Sequence, residues 1–395
     1  MRIVHVAPSY FPAVRYGGPI WSVHGLARAQ AQAGHEVEVL TTSMDGDDDL
    51  DVVPGAPVDR DGVRVRYFPV ARAPRALSRR LFHAPMLGQA LPDAVRSAQI
   101  VHCHSVFLSP TTQAARAARA RGVPHVLSPR GMLWPEMIRR RSALPKRLWL
   151  ALFERANVER ASLVHVTASL EAERLRALGL RPRRMVEIPN GVDMEPRASA
   201  AGTATALDED VRRATARPGY VLSFGRISWK KNNGALIEGL SRLDALHAVI
   251  AGNDEEGEAA RLRTLVDRHG LADRVTVLDR QIGGADKTAL FAHAGLFALA
   301  SHSENFGNTV LEAMVHGLPV LCSDAVGAAQ VVREARCGTV CAPDAPGVAD
   351  ALRALTQDPD RARTMGRAGQ AHARARYGWG PIAQRMVEAY RELAP

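Results

Sequence analysis

In the first half of the chain, apolar residues gather in short, almost continuous runs separated by stretches with helical spacing. Residues 3–8, 36–42, 63–70, 100–105, 125–128, 163–167 and 185–188 read as strands, and residues 20–33, 109–121 and 170–178 as helices between them. Strands that are apolar on both faces belong in a parallel sheet covered on both sides. Strand and helix in regular alternation predict a doubly wound α/β domain.

The pattern breaks at Pro189-Asn190-Gly191-Val192-Asp193, a cluster of turn residues. Residues 194–218 follow, rich in Ala, Thr and charge and punctuated by Pro196 and Pro218, and read as a linker with a short helix. The same grammar then restarts. Strands are expected at 220–224, 247–251, 275–278, 295–300, 319–323 and 339–341, with helices at 234–242, 256–269 and 310–316. The expected organisation is an N-terminal Rossmann-like domain at 1–193, a linker at 194–218, a second Rossmann-like domain at 219–376, and a helix at 377–395 that packs back toward the first domain. Two such domains are expected to face one another across a cleft. Ligands of open α/β sheets sit outside the carboxyl ends of the strands, so the loops after strands are where chemistry is sought.

Composition adds bounds. A length of 395 residues suits two domains, and 46% hydrophobic with 23% charged residues is ordinary for a water-soluble chain. Cys103, Cys322, Cys337 and Cys341 form no CxxC pair and read as buried free thiols rather than a disulfide or zinc framework. Residues 2–6 start directly as a strand, without the marks of a signal peptide, and no run of about 18 apolar residues occurs. A cytoplasmic location is expected. The net charge of +10 is lopsided: residues 1–193 hold 27 Lys+Arg against 17 Asp+Glu, and the remainder holds 24 of each. A basic first half suggests an anionic partner, such as a membrane face, a phosphate-bearing acceptor or nucleic acid, unless it is simply a solvated Arg-rich surface.

Three loops carry candidate chemistry. The loop after the first strand lacks GxGxxG, which counts against a dinucleotide oxidoreductase, but it places Gly17-Gly18 just before a helix, where backbone N–H groups can meet an anion. The loop after the first strand of the second domain, Gly225 to Asn232, concentrates Arg226, Lys230 and Lys231. Such cations can neutralise a diphosphate leaving group without a metal. The third loop runs Ser303-Glu304-Asn305-Phe306-Gly307-Asn308-Thr309-Val310-Leu311-Glu312. Gly307, Asn308 and Thr309 would supply N–H groups at a helix start, and Glu304 and Glu312 either accept from sugar hydroxyls or are ordinary surface acids.

This third string resembles the E-x7-E signature of retaining GT-B glycosyltransferases, specifically glycosyltransferase family 4. The likeness extends over nearly the whole chain, through Gly17-Gly18, the Pro189–Asp193 turn, Gly225-Arg226 with Lys231, and the run on to Gly317-Leu318-Pro319-Val320. The resemblance implies transfer of a sugar from a nucleotide-diphosphate donor to a saccharide or lipid-linked saccharide, with retention, in cell-surface or exopolysaccharide synthesis. It implies no cofactor, no metal and no nucleic-acid partner. Arg226 and Lys231 then correspond to the pair gripping the diphosphate, Glu312 to the ribose-binding acid and Glu304 to the acid facing the donor sugar. Phe306, Gly307, Asn308, Thr309 and Val310 fall on the segment contacting phosphate or sugar. Gly18, beside Gly17, corresponds to a diphosphate contact, and Arg280-Gln281-Ile282-Gly283 borders the base.

One position departs from the family. Where many relatives carry a His near the anomeric centre, this chain reads Ser128-Pro129-Arg130-Gly131. Arg130 cannot be a general base; it can stabilise phosphate charge or position the acceptor. His102 and His104 follow another strand and read either as strand-end packing or as acceptor contacts. A front-face mechanism, in which the departing phosphate takes the acceptor proton, needs no such base.

Residues 139–153 mix a basic run with Leu, Trp and Phe, which suits either an anionic membrane surface or a helix packed on the sheet. The acidic run Asp45, Asp47, Asp48, Asp49 and Asp51 is expected to be a solvated, mobile loop rather than a D-x-D metal site. A nucleotide-sugar epimerase of the same fold and a Rossmann oxidoreductase remain the competing enzyme classes, and a non-enzymatic carbohydrate- or nucleic-acid-binding module is a third. The sequence does not fix the donor base, the sugar, the acceptor or the oligomeric state.

Overall fold

The computed structural model describes residues 1–135, 138, 143–195, 207–254 and 256–394. The basic run at 139–142 and most of the expected linker, 196–206, lie outside the described residues. The chain forms two units: Met1–Gly191 together with Trp379–Pro395, and Val192–Gly378.

The first unit is built on an eight-stranded sheet. In chain order its strands are β1 (Arg2–Val6), β2 (Glu36–Thr42), β5 (Pro57–Arg60), β6 (Val63–Phe68), β7 (Ile100–His104), β8 (His125–Ser128), β9 (Leu163–Val166) and β10 (Met185–Glu187), arranged β10-β9-β8-β7-β1-β2-β6-β5. Neighbours are parallel except β5, which runs antiparallel along β6. A separate antiparallel hairpin joins β3 (Met44–Asp45) to β4 (Asp48–Asp49). β1 is buried along four of its five residues because β2 and β7 flank it and helices cover both faces. The order of connection reverses between β1 and β7, so the loops after those two strands border the crevice where such sheets hold ligands.

The helix Trp379–Arg391 belongs to this unit. It lies against the helix Gly18–Gln32 and buries Ile382, Met386 and Tyr390 beside Ile3, Leu26 and Ile100. Two glycines admit the Trp379 ring: a Cβ on Gly25 would fall 2.2 Å from its Cε2, and one on Gly191 2.6 Å from its Cδ2.

The second unit carries six parallel strands: β11 (Tyr220–Phe224), β12 (Ala248–Ala251), β13 (Val275–Leu278), β14 (Ala294–Leu299), β15 (Val320–Ser323) and β16 (Gly338–Cys341), in the order β13-β12-β11-β14-β15-β16. Here the reversal falls between β11 and β14. The short helix Glu209–Thr215 is fastened to this unit by Arg280, which reaches Asp208 at 3.0 Å and Asp210 at 2.7 Å.

The fold is the doubly wound α/β architecture expected, twice over. Two features differ from the sequence reading. β5 is a short, largely polar edge strand that no apolar run announces. The acidic run is not a free loop, because Asp45, Asp48 and Asp49 lie in the β3–β4 hairpin, where Asp48 meets Arg15, Asp49 meets Arg79 and Asp45 accepts from a backbone N–H. Among the described residues no helix is long and apolar enough to cross a membrane.

Candidate active site

In the second unit the chain leaves β11 through Gly225, whose φ of 141° lies where a side chain is strained. The neighbouring Gly252 is equally constrained, since a Cβ there would sit 2.1 Å from the Gly225 carbonyl oxygen. The loop then makes one turn of 3₁₀-helix at Trp229–Lys231 and reverses at Asn232, φ 53°. The Asn232 side-chain amide donates to the Ala300 carbonyl at 3.0 Å and the Pro343 carbonyl at 2.8 Å, and the His302 N–H donates to the Lys230 carbonyl at 2.8 Å. These bonds tie the loop after β11 to the loop after β14.

Across that tie, Lys231 Nζ donates to Glu304 Oε2 at 2.7 Å. Burial alone would raise the Glu304 carboxyl, but Lys231, with Lys230 and Arg226 beyond it, holds it below its ordinary value. Glu304 is held through its backbone as well: its N–H donates to the Ala325 carbonyl at 3.1 Å, and its carbonyl accepts from Gly327 at 3.0 Å. Gly307, φ 91°, then starts the helix Asn308–Val315; a Cβ there would lie 2.9 Å from Val326 Cγ1. Phe306 and Val310 are buried behind the turn.

Glu312 sits in this helix and accepts from Lys287 Nζ at 2.8 Å through one carboxylate oxygen. The other oxygen, Oε2, is buried without a hydrogen-bond partner, as is Thr309 Oγ1. Buried polar atoms of this kind are costly unless something completes them. Lys287 also lies 5.3 Å from the centroid of the Phe224 ring, a cation–π contact that fixes its ammonium. Sequence reasoning missed Lys287. A single lysine within an amphipathic helix carries no signal of its own; only packing brings it to Glu312.

Of the loop 280–283, Arg280 is committed to Asp208, Asp210 and Asp286, Gln281 is exposed and Ile282 is buried. The structure therefore brings Arg226's loop, Lys231, Glu304, Thr309 and Glu312 to the switch point of the second sheet.

In the first unit, Gly17 has φ 81° and ψ −144°, and the helix Gly18–Gln32 starts straight after it. The preceding loop is fastened to the β3–β4 hairpin. Arg15 N–H donates to Asp45 Oδ1 at 3.0 Å, the Arg15 guanidinium pairs with Asp48 at 3.1 Å, and the Tyr16 hydroxyl donates to the Gly46 carbonyl at 3.1 Å. The acidic run thus clamps the loop that carries Gly17-Gly18.

His102 and His104 do not reach the surface; they are 0% and 1% exposed. His102 lies between the Tyr390 hydroxyl at 2.6 Å and Ser128 Oγ at 2.7 Å, and His104 between His5 at 2.9 Å and Arg130 at 3.2 Å. Every ring nitrogen of the pair is taken, so acceptor contact is replaced by internal bonding. Arg130, φ 56°, is also buried, with Nη1 donating to Asn190 Oδ1 at 2.9 Å. Burial lowers the Arg130 pKa to about 10, that of His5 to about 4 and that of His165 to about 3, and it holds His102 and His104 well below the ordinary imidazole range. Ligand nitrogens of His5, His102 and His104 lie within 4.8 Å of one another, but the adjacent Arg130 cation opposes a dication there. Two buried carboxylates hold the neighbouring loops. Glu154 accepts from Phe107 N–H at 2.8 Å, and Glu171 from Gly131 N–H at 2.7 Å.

Residues 17–191 match the family described as glycosyl transferase 4-like domain, and residues 208–372 match glycosyl transferases group 1. The chain is 28% identical over 416 residues to a glycogen synthase of Mycobacterium tuberculosis, covering 99% of this chain and 94% of that protein. It is 28% identical over 404 residues to the GDP-mannose:cellobiosyl-diphosphopolyprenol alpha-mannosyltransferase of Xanthomonas campestris, covering 99% and 96%. Among solved structures, Anabaena HepE in complex with UDP and glucose superposes with a TM-score of 0.74 at 21% identity, covering 99% of this chain and all of that one (100%).

Proposed function

The chain belongs to the group 1 glycosyltransferases of family 4, GT-B enzymes that transfer a sugar from a nucleotide-sugar donor, and from that premise we propose that it does so with retention, without a metal, onto a saccharide or lipid-linked saccharide of the cell surface or an exopolysaccharide. The observation that carries the site assignment is the pair of ion pairs at the β11/β14 switch point, Lys231–Glu304 and Lys287–Glu312.

Each pair leaves one function open. Lys231 is 16% exposed at its side chain, so its ammonium can be shared with an incoming diphosphate while Glu304 stays ionised beside it. Glu304 accepts from hydroxyls of the donor sugar. Glu312 keeps one oxygen on Lys287 and offers the partnerless Oε2 to a ribose hydroxyl. Thr309 Oγ1 and the N–H groups at the helix start suit phosphate oxygens. As the glycosidic bond to phosphate breaks, charge builds on the diphosphate and meets Lys231 and Arg226. The phosphate oxygen that leaves is then basic enough to take the acceptor proton on the same face. That route requires neither a protein base nor a metal.

A lipid-linked acceptor is supported by the surface at 143–152. Leu144, Leu148 and Leu152 recur every four residues and are 78%, 58% and 60% exposed. Lys146 and Arg147 accompany them, and Arg80 from the helix Arg75–Leu81 lies near enough to depress Lys146, after burial. Exposed leucines among cations suit an anionic lipid surface.

The direct test is a screen of UDP-, GDP- and ADP-sugars with lipid-linked saccharides, run with and without chelator, reading the anomeric configuration of the product by NMR. Inverted product, loss of turnover in chelator, or net conversion of the donor sugar without any acceptor would each sink part of this reading. Cosedimentation with phosphatidylglycerol vesicles at low salt, absent with phosphatidylcholine and weakened by Leu148→Glu, checks the membrane arm.

A further inference from the structure

Nine groups in the first unit form one continuous hydrogen-bonded series whose direction can be worked out from its ends. Arg130 is a donor only, so its Nη2 gives a proton to His104 Nδ1 at 3.2 Å. A neutral His104 then carries its hydrogen on Nε2 and donates to His5 Nδ1 at 2.9 Å. His5 in turn donates through Nε2 to Gln30 Oε1 at 2.7 Å, and the Gln30 amide donates to the Tyr390 hydroxyl at 3.4 Å.

From the far end, the Ile188 carbonyl can only accept. His165 must therefore donate to it through Nε2 at 2.7 Å. Its Nδ1 accepts from the Ser128 hydroxyl at 2.7 Å, so Ser128 accepts from His102 Nε2 at 2.7 Å. His102 Nδ1 is then left to accept from the Tyr390 hydroxyl at 2.6 Å. Both derivations meet at Tyr390 and agree: its oxygen accepts from Gln30 and its single proton goes to His102. All four imidazoles are neutral and Nε2-protonated, as burial favours. Asn190, two residues past Ile188, accepts from Arg130 Nη1 at 2.9 Å and returns the series to its start.

We propose that Tyr390, on the C-terminal helix, is a positioning residue for Arg130, acting through Gln30, His5 and His104. Arg130 sits in the left-handed region at φ 56°, at the carboxyl end of β8, and its hydrogen bonds are to neutral groups, Asn190 and His104. The Glu171 carboxylate also favours its charge, but the two hydrogen bonds that orient the guanidinium go to neutral groups and hold it in one orientation only if those groups are fixed. His104 is fixed because His5 accepts from it, and His5 because Gln30 accepts from it. Gln30 keeps its carbonyl toward His5 because Tyr390 takes its amide. Without that hydroxyl the amide can turn over, and the polarity of the branch is lost as far as Arg130. The proposal rests on the family reading only in giving Arg130 a role in turnover.

The test uses the full chain labelled with ¹⁵N-histidine and ¹⁵N-arginine. At pH 7 the imidazole spectra should show His5, His102, His104 and His165 all neutral and Nε2-protonated, and Arg130 should give resolved, slowly exchanging Nη signals. Tyr390→Phe should collapse those Nη signals and mix the tautomers of His5 and His104. It should also lower turnover of UDP-glucose or GDP-mannose, whichever the enzyme uses, about fivefold, the scale of one lost hydrogen bond, with donor KM unchanged. Ser128→Ala, which cuts the other branch, should leave the Arg130 signals as they are. If Tyr390→Phe does not fold, Gln30→Met interrupts the same branch one link on and is read by the same signals. An Nδ1–H tautomer at His5 or His104 in the unaltered protein overturns the proposal, as do unchanged Arg130 and His104 signals in Tyr390→Phe. Normal turnover in Arg130→Lys with the relay signals intact strikes only at the role of Arg130 in the reaction, which separates the two failures.

Discussion

At the switch point of the second sheet, charges stand in pairs whose side chains are between 16% and 34% exposed, Lys231–Glu304 and Lys287–Glu312. At the corresponding place in the first sheet, the polar groups are imidazoles, a hydroxyl, two amides, a phenol and the Arg130 guanidinium, sealed in and bonded to one another. Both units are parallel sheets with the same grammar of strand and helix. The difference lies in what a ligand can do to them. A partly exposed ion pair can trade a water, or part of its partner, for a phosphate or a hydroxyl at modest cost. A closed series of buried groups around a single cation cannot admit a ligand without leaving buried atoms unbonded. The second unit thus presents exchangeable charge at its switch point, and the first a fixed set of bonds.

The sharpest way to break this comparison is to remove a charge from the second unit. Lys231→Ala should lower turnover about 10²–10³-fold, the range for one group that stabilises developing charge, while denaturant unfolding stays near that of the unaltered protein. A large loss of stability with modest loss of turnover would reverse the roles assigned to the two units. The converse variant is His165→Ala, which orphans the Ser128 proton and the Ile188 carbonyl. It should destabilise by about 2–4 kcal/mol through unmet hydrogen bonds and a cavity, measured by chemical denaturation.

Acid should separate the units next. The buried histidines have folded pKa values below the ordinary 6.5, with His5 and His125 near 4 and His165 near 3. Between those values and 6.5 the unfolded chain binds more protons than the folded one. Stability from this source is thus complete above pH 6.5 and is lost as pH falls toward 4, each histidine adding a slope of up to about 1.4 kcal/mol per pH unit. Glu304, held below its ordinary 4.5, contributes stability above that pH and loses it only in stronger acid. Hydrogen exchange followed from pH 7 to 5 should show the first unit opening while the second stays protected. Equal sensitivity would contradict the neutral network.

Smaller effects sharpen the assignment. Glu312→Gln keeps the shape but weakens the acceptor offered to ribose. Donor KM should rise about tenfold with kcat little changed, as expected when binding is lost equally from ground and transition states. Asp45→Ala releases the Arg15 N–H and loosens the loop before Gly17, at a cost of about 1 kcal/mol by thermal melting.

Much of this was legible beforehand. The strands 36–42, 125–128 and 220–224 coincide with the observed ones, because a largely buried apolar strand belongs inside a parallel sheet whatever surrounds it, and 275–278 coincides too, at the sheet edge. β5 was not legible, since an edge strand with alternating exposure looks like a loop. Glu304, Glu312, Lys231 and Gly307 stand out as candidates because they cluster within short motifs at strand ends. Lys287 does not, because it reaches Glu312 from a separate helix.

The sequence by itself determined the alternation that folds into two doubly wound sheets, the glycines that the turns at 17, 225 and 307 require, and the residue types at the loops after β11 and β14. Local chemistry suffices for these, because periodicity and φ preference act over a few residues. Only the tertiary structure decided that the acidic run clamps the Gly17 loop, that Lys287 holds one oxygen of Glu312, and that His102, His104 and Arg130 bond inward. Those outcomes depend on which atoms meet across tens to hundreds of residues, as Tyr390 meets His102 across 288. No pattern along the chain encodes such meetings; they follow from burial and from the need to satisfy every polar atom that burial cuts off from water.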